Sequence, residues 1–270
     1  MEMADILEEN IEEKEMSFLD HLESLRWHLI RSTIAIGILS IIAFVNKSFV
    51  FDQIVLAPKN PDFLTYRIMC RISERICITE IPFTLMNINM SGQFTNHIFV
   101  SIIAGIIVAF PYVFWEMWRF VKPALYPDET KHARGVVFFS SFLFMAGVLF
   151  GYYVIAPLAI NFLGSYQVSE MVSNQINLGS YMTTVASISL ACGVIFELPI
   201  VTYFLTKLGL VTPSFMRQYR KHALVITLIL SAIITPPDVI SQILVALPLL
   251  VLYEVSIFIS AAVLKAEEAA

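Results

Sequence analysis

The residues best suited to chemistry lie in one short stretch, residues 110–134, between two long apolar segments. The stretch combines an acidic pair, Asp128 and Glu129, with two prolines, Pro123 and Pro127. A carboxylate held in a proline-braced loop can accept an arginine side chain through two parallel hydrogen bonds. The alternative is structural, because acids in the first turn of a helix stabilise its dipole and Asp128 could cap it.

Glu197 is the carboxylate that lies well inside an apolar segment, in the sequence ACGVIFELPIV. Because it precedes Lys207 by ten residues, we expect it about 15 Å from the end of a helix, near the middle of a membrane. A charge there costs roughly 2.5–3.5 kcal/mol, so such residues usually face a partner or a water-filled cavity. The sequence favours a polar docking or hydration site over a purely structural role. Gln242 is a second polar group that could face the same interior.

The remaining polar residues predict little chemistry. We expect Glu116 and Glu254, near the ends of apolar segments, to be solvated or to snorkel toward the membrane surface. The five histidines are scattered, so the sequence predicts no metal site and no cofactor. Motifs such as GxSxG and HExxH do not occur, so no enzyme is predicted. There is no basic patch with interleaved aromatic residues, which argues against nucleic acid as a partner.

The composition predicts an all-α membrane protein. Hydrophobic residues make up 57% of the chain and charged residues 14%, whereas a soluble domain is about 25% charged. The apolar segments predict six spans, at residues 29–45, 98–118, 136–158, 181–208, 223–234 and 239–259. The fifth would be only about 18 Å long against a hydrocarbon core of about 30 Å. Three explanations are open: flanking residues extend this span, the bilayer thins beside it, or the predicted ends of the helix are misplaced.

The N-terminal flank divides into a tail and a helix. Residues 1–16 are acidic and predict a disordered tail. Ser17 and Asp20 have the spacing of a capping box, and the apolar residues that follow fall on one helical face. We expect an amphipathic interfacial helix that leads directly into the first span, with residues 17–264 forming a single membrane domain.

The distribution of lysine and arginine predicts the orientation. With the N-terminus inside, 12 of the 17 cationic residues are cytoplasmic, and the other 5 lie in a long first outside loop, residues 46–97. Long loops are translocated largely regardless of charge, so the count favours both termini in the cytoplasm.

Two cysteines of the outside loop, Cys70 and Cys77, could form a disulfide in an oxidising compartment. On one straight helix they would be about 10.5 Å apart, too far for the bond. Either the helix breaks between them or both remain free thiols. Cys192 lies within a span, where we expect it to pack.

Four segments resemble the TatC family, the multispanning receptor subunit of the twin-arginine protein translocase. They occur in the order of the family, and together they extend over nearly the whole chain. SFLDHLESLRWHLIRS is similar to the HLEELR signature that precedes the first span of the family. FPYVFWEMWRFVKPALYPDET resembles the end of the second span and the first cytoplasmic loop. FELPIV and TPPDVISQILVALPLLVLYE resemble the fourth-span motif and the last outside turn with the sixth span.

The resemblance implies transport without covalent chemistry. Members bind twin-arginine signal peptides at the cytoplasmic face and recruit single-span TatA/TatB-type partners, and they export folded proteins with the proton-motive force. The implied fold is a concave, glove-like arrangement of six transmembrane helices with short fifth and sixth helices. The implied location is the bacterial cytoplasmic (inner) membrane, where we also expect contact with the lipid bilayer and self-association in a complex.

The resemblance also implies roles for individual residues at the matched positions. The resemblance assigns arginine binding to the loop carboxylate Glu129, and Glu197 and Gln242 match polar positions that face partner helices. The other matched positions lie in the first cytoplasmic loop (Phe120, Pro123, Leu125, Tyr126), in the N-terminal signature (Glu23, Arg26) and in the periplasmic turn (Pro236, Pro237, Asp238).

Two positions depart from the family pattern. Ser24 stands where a second glutamate is usual, and Thr130 stands where arginine often follows the loop glutamate. Glu23 points about 100° away from position 24, so Asp20 is a possible substitute for the missing carboxylate.

A rival hypothesis is a proton-coupled secondary transporter with Glu197 as the ion site. Such a protein would have an internal repeat, and the two halves of this sequence differ in their loops and motifs.

Overall fold

The computed structural model describes residues 18–74, 77–78, 81, 83–121, 133–169, 171, 174–235 and 239–268. The predicted tail, residues 1–16, lies outside them. The described part of the chain is mainly helical, with one two-stranded sheet. Its α-helices are α1 (Phe18–Val45), α2 (Leu64–Ile72), α3 (Gly92–Val121), α4 (Ala133–Phe150), α5 (Ala156–Ser165), α6 (Leu178–Ile195), α7 (Leu198–Lys207), α8 (Pro213–Gln218), α9 (Arg220–Ile234) and α10 (Val239–Glu268).

Five segments of the described chain are long and apolar enough to cross a membrane, which confirms the predicted all-α membrane class. They are Glu23–Val45, Gly92–Phe120, Gly135–Ser165, Leu178–Lys207 and Gln242–Lys265. The predicted fifth span corresponds to α9, which has 15 residues and is about 22 Å long. Because α9 is shorter than a hydrocarbon core of about 30 Å, the count of six spans stays a prediction.

The expectation of a short sixth helix is wrong. The last helix, α10, has 30 residues and continues nine residues beyond the predicted end at residue 259. Strong helix formers, among them Ala261 and Ala262, follow that point, and Lys265 in the last turn complements the helix dipole. Nothing in this stretch, whether proline or glycine, ends the helix earlier.

The first span begins without a separate interfacial helix. α1 is continuous over 28 residues, so the predicted amphipathic segment and the first span form one helix. α1 packs along α3, and the two backbones approach closely at Gly105, where an added Cβ would lie 2.8 Å from the backbone nitrogen of Ser40.

The third and fourth spans are each interrupted. A π-helical turn, Gly151–Ile155, separates α4 from α5. The fourth span breaks at Phe196 and Glu197, between α6 and α7. Pro199 explains the second break, because its ring displaces the backbone four residues earlier and it has no N–H to donate there. The sequence predicted both spans as unbroken.

Glycines let α4 and α6 approach closely. An added Cβ at Gly147 would lie 2.5 Å from the carbonyl oxygen of Cys192, and one at Gly193 would lie 2.7 Å from Cγ2 of Val148. Such small residues are typical of close helix packing in membranes. Cys192 is buried in this interface, where it packs as expected.

The long segment after α1 is folded rather than an open loop. It contains a π-helix (Ser48–Val55), a 3₁₀ turn (Ala57–Lys59) and α2, and it ends earlier than predicted because α3 begins at Gly92. Strand β1 (Thr84–Met86) pairs in parallel with β2 (Gln175–Asn177), with Leu85 opposite Ile176. The sheet joins this segment to the chain that follows α5.

Tyr66 and a disulfide fix α2 in place. The Tyr66 hydroxyl lies 3.0 Å from each of the carbonyl oxygens of Pro58 and Pro157, and burial raises the pKa of this phenol. Cys70 and Cys77 form a disulfide with their Cα atoms 4.1 Å apart. The helix ends at Ile72 between them, which is the break that this bond requires. We call this side of the molecule the disulfide end.

Candidate functional site

The opposite side, which we call the basic end, carries Arg26, Arg119, Lys207 and Arg220 at the termini of the long helices. α3 ends here at Val121 and α4 begins at Ala133. The proposed loop residues Pro123, Leu125, Tyr126 and Glu129 lie between them, outside the described residues, as do Pro236, Pro237 and Asp238 of the turn after α9. The structure therefore describes the helices that frame the candidate site.

The N-terminal part of α1 presents charged residues at this end. Glu23 and Arg26 are exposed and three residues apart, so they lie on neighbouring positions of one helical face. Arg26 extends over the ring of Trp27, 5.5 Å from its centre. Ser24 is half-buried beside them. Asp20 lies within the first turn of α1.

Glu116 on α3 is buried, so the expectation that it is solvated is wrong. Its side chain is 1% exposed, and Oε2 lies 2.5 Å from Nδ1 of His28 on α1. The Tyr112 hydroxyl donates to Oε1 at 3.0 Å. A carboxylate can only accept, so Nδ1 of His28 carries the hydrogen. No local pattern in the sequence indicates this pair, because its members are 88 residues apart.

Two arginines complete the surroundings of Glu116. Nη1 of Arg31 lies 3.8 Å from Oε2, and Nη1 of Arg119 lies 3.7 Å from Oε1. Both side chains are about half-exposed, at 48% and 47%. Because an unpaired buried charge is costly, this group of donors makes the buried carboxylate tolerable. We call His28, Arg31, Tyr112, Glu116 and Arg119 the Glu116 cluster.

The Glu116 cluster joins two parts of the proposed binding site. His28 lies two residues after Arg26, and its ring contacts Phe120 edge-on with 6.2 Å between centres. Phe120 in turn is the last residue but one of α3, directly before the loop. The cluster therefore fixes the start of α1 against the point at which the loop begins.

Glu197 lies at the break between α6 and α7. It is 9% exposed, and its Oε2 accepts a hydrogen bond of 2.8 Å from the Ser140 hydroxyl on α4. Its Oε1 is buried without a hydrogen-bond partner at normal distance among the described residues, although the backbone of Phe144 is close. One oxygen of Glu197 is thus left to accept a further hydrogen bond.

The other polar residues of the spans bond to different helices. Gln242 on α10 donates from Nε2 to the carbonyl of Leu228 on α9, at 3.2 Å. Glu254 pairs with Arg220 at 2.7 Å and is well exposed, as the sequence predicted for a residue at a span end. Among the described residues, no group of three or more His, Cys, Asp or Glu side chains could hold a metal ion.

Comparison with known proteins gives one consistent result. Residues 20–248 match the family model "TatC: Sec-independent protein translocase protein". A protein of Blattabacterium sp. subsp. Periplaneta americana, named Sec-independent protein translocase protein TatC, is 40% identical over 256 residues, which cover 92% of this chain and 96% of that protein. A protein of the same name from Carboxydothermus hydrogenoformans is 38% identical over 251 residues, which cover 93% and 95% of the two chains.

Comparison with solved structures agrees with the comparison of sequences. Two solved structures, each described as a crystal structure of the twin arginine translocase receptor TatC, match with TM-scores of 0.72 and 0.71. They are 34% and 35% identical to this chain and cover 90% and 89% of it, with 99% of each neighbour matched. The predicted resemblance is confirmed along the chain, and the protein belongs to the TatC family of Sec-independent protein translocases.

Proposed function

We propose that this protein is the receptor subunit of a twin-arginine translocase and binds twin-arginine signal peptides at its basic end. The observation that carries the proposal is the likeness to the twin arginine translocase receptor over 90% of the chain. The Glu116 cluster supports it, because the cluster holds the two proposed binding segments together. The protein acts by binding and is not an enzyme.

Recognition would rest on carboxylates that accept guanidinium groups. Glu129 in the loop is the main acceptor, because a carboxylate can bind the planar fork of arginine through two hydrogen bonds. Glu23 on the exposed face of α1 is the second acceptor, with Asp20 as the substitute for the carboxylate that is missing at Ser24. The family pattern assigns Phe120, Pro123, Leu125 and Tyr126 to the same binding role.

The proposed orientation places the basic end in the cytoplasm of a bacterium, with both termini inside and the protein in the inner membrane. The excess of lysine and arginine at this end supports it. The disulfide between Cys70 and Cys77 at the other end supports it too, because such bonds persist in an oxidising compartment.

Partner subunits would bind within the membrane. We assign single-span TatA/TatB-type helices to the region of Glu197 and Gln242, where export of folded proteins would be driven by the proton-motive force. The unbonded Oε1 of Glu197 supports this assignment, since a donor on a partner helix would satisfy it. The short helix α9 lies beside Gln242, which donates to the carbonyl of its Leu228.

The binding proposal is tested with Glu129→Gln and a twin-arginine signal peptide that carries a photo-crosslinker. A charge-assisted hydrogen bond contributes about 1.5–3 kcal/mol, so we expect affinity to fall about 10- to 100-fold. Glu254→Gln is the matched control, because it removes an exposed carboxylate at the same end of the molecule. A twin-lysine peptide should bind weakly to the unmodified protein. Undiminished crosslinking of Glu129→Gln would reject the role of Glu129.

The partner proposal is tested by disulfide crosslinking from a cysteine at position 197 to single cysteines along a TatA/TatB-type helix. Cys192 is replaced by alanine beforehand so that it does not react. We expect crosslinks from position 197 and fewer from position 198, which is exposed and points about 100° away around the helix axis. Normal export without a crosslink from position 197 would reject the assignment of a partner helix to Glu197.

A further inference from the structure

The Glu116 cluster contains more positive charge than its carboxylate balances. Arg31 and Arg119 approach the two oxygens of the same carboxylate at 3.8 and 3.7 Å, and Nδ1 of His28 donates to that carboxylate. The two guanidinium groups and one carboxylate leave one positive charge in excess. Each guanidinium has five N–H donors, and about half of each arginine side chain is exposed, so donors remain that point away from Glu116.

The exposed face around these arginines has the composition of a membrane interface. Trp27 and Trp115 are both exposed, and Arg119 lies over the Trp115 ring, 4.9 Å from its centre. Tyr112 is also exposed, although its hydroxyl is bonded to Glu116. Tryptophan and tyrosine are enriched at the level of lipid headgroups, so this face marks where the bilayer surface crosses α1 and α3.

An apolar strip continues from the arginines toward the middle of the helices. On α1 it contains Ile34, Ile38 and Ile41, which are 55%, 55% and 65% exposed. On α3 it contains Val108, which is 60% exposed. A molecule that covers both the arginines and the strip must carry an anionic group at one end and a long apolar chain at the other.

We propose that Arg31 and Arg119 form a binding site for the phosphodiester of an anionic phospholipid, with its acyl chains on the strip of α1 and α3. The single negative charge of a phosphodiester matches the single excess positive charge of the cluster. Guanidinium groups bind phosphate oxygens through paired hydrogen bonds. Basic pockets between transmembrane helices bind lipid headgroups by this chemistry.

The position of Arg31 favours a lipid over a soluble anion. It lies four residues after Trp27, about 6 Å further along the helix axis toward the middle of α1. A long side chain at this depth extends toward the interface, where phospholipid phosphates are concentrated. The proposal does not depend on signal-peptide binding, because neither arginine belongs to the residues assigned to that function.

The test is native mass spectrometry of the full-length protein in micelles that contain phosphatidylglycerol or phosphatidylcholine. We expect one phosphatidylglycerol to be retained per protein and phosphatidylcholine to be lost. Each arginine near the membrane surface contributes about fivefold to the affinity for an anionic lipid. Arg31→Gln or Arg119→Gln should therefore weaken retention about fivefold, and the double variant should weaken it about 25-fold. Each single variant leaves Glu116 bonded to His28, so the single variants decide the matter if the double variant does not fold.

Two controls separate the proposed site from general charge effects. The double variant Arg217→Gln, Arg220→Gln removes two exposed cations from the same end of the molecule, and we expect it to retain phosphatidylglycerol. Glycerophosphoglycerol, which has the same phosphodiester headgroup without the acyl chains, should not displace the lipid at equal concentration. Equal losses in both double variants, unchanged retention in the Arg31 and Arg119 variants, or displacement by glycerophosphoglycerol would each overturn the proposal.

Discussion

Two buried carboxylates of this protein differ in how completely they are hydrogen-bonded, and they distinguish two regions of the molecule. Glu116, between α1 and α3, accepts hydrogen bonds from His28 and Tyr112 and has two arginines within 4 Å. Glu197, at the break between α6 and α7, accepts from Ser140 and has one oxygen without a partner among the described residues. A buried polar group that is fully bonded stabilises its surroundings, whereas an incompletely bonded one is costly unless something else binds it.

The difference assigns different functions to the two regions. The region of Glu116 is a fixed support that holds α1 and the start of the loop in register. The region of Glu197 is prepared for a partner, since its free oxygen and the broken helix beside it both lower local stability. Substitutions in each region can therefore test this difference.

The largest effect is expected for Glu116→Ala. It leaves the Nδ1–H of His28 and the Tyr112 hydroxyl without their acceptor, and each buried donor left without a partner costs about 1–3 kcal/mol. Unfolding in mixed micelles with increasing denaturant would measure the loss. Glu254→Ala removes an exposed ion pair and should cost less than about 1 kcal/mol. Equal losses for the two variants would show that burial of Glu116 contributes nothing.

The next largest effect is expected for Gly193→Ala, near Glu197. Its Cβ would lie 2.7 Å from Cγ2 of Val148 and 2.9 Å from the Phe144 ring, and overpacking of this kind costs about 1–3 kcal/mol. Gly37→Ala on α1 meets no atom within 4 Å and should be neutral or stabilising, because alanine favours the helix. The same unfolding measurement checks both. A neutral Gly193→Ala would mean that α4 and α6 are not held as closely as the structure shows.

A smaller difference should separate Ser140→Ala from Tyr112→Phe. Both remove a hydroxyl that donates to a buried carboxylate. Glu116 keeps His28 and the arginines, so Tyr112→Phe should cost less than about 1 kcal/mol, whereas Ser140→Ala leaves a buried acceptor and should cost about 1–3 kcal/mol. The comparison fails if Tyr112→Phe is the more destabilising of the two in the same unfolding experiment.

The smallest effect on stability is expected for Glu197→Gln. The amide keeps an oxygen for the Ser140 hydroxyl and removes a charge from inside the membrane, so the free energy of unfolding should change by less than about 1 kcal/mol. Export of a twin-arginine precursor should nevertheless fall, if the proposed partner binds here. A large loss of stability with normal export would reverse the functions assigned to the two carboxylates.

The sequence predicted what depends on local pattern. Apolar segments gave the membrane class and most span positions, and four motifs gave the family. Pairings between distant residues were not accessible, because no periodicity connects His28 to Glu116 or Leu85 to Ile176. Glu116 was expected to be solvated because it is near a span end, but the adjoining helix α1 covers it.

Some features left a partial signal. Pro199 marked the break beside Glu197, although the sequence alone did not show that the fourth span divides there. The spacing of Cys70 and Cys77 required a break in α2 if they paired, and the structure has that break. The loop that contains Glu129 lies outside the described residues, so its role stays a prediction.

The interruption at Phe196 and Glu197 has a mechanical consequence. α7 is joined to α10 by a buried hydrogen bond of 2.8 Å between the hydroxyls of Thr206 and Ser260, while α6 is packed on α4 through glycines. If the fourth span bends at the interruption, α7 therefore travels with α10, and α6 stays with α4. Spin labels on α4 and α10 would detect such a bend as a change in the distance between them. Glu197 lies at the bend, so its surroundings would change first.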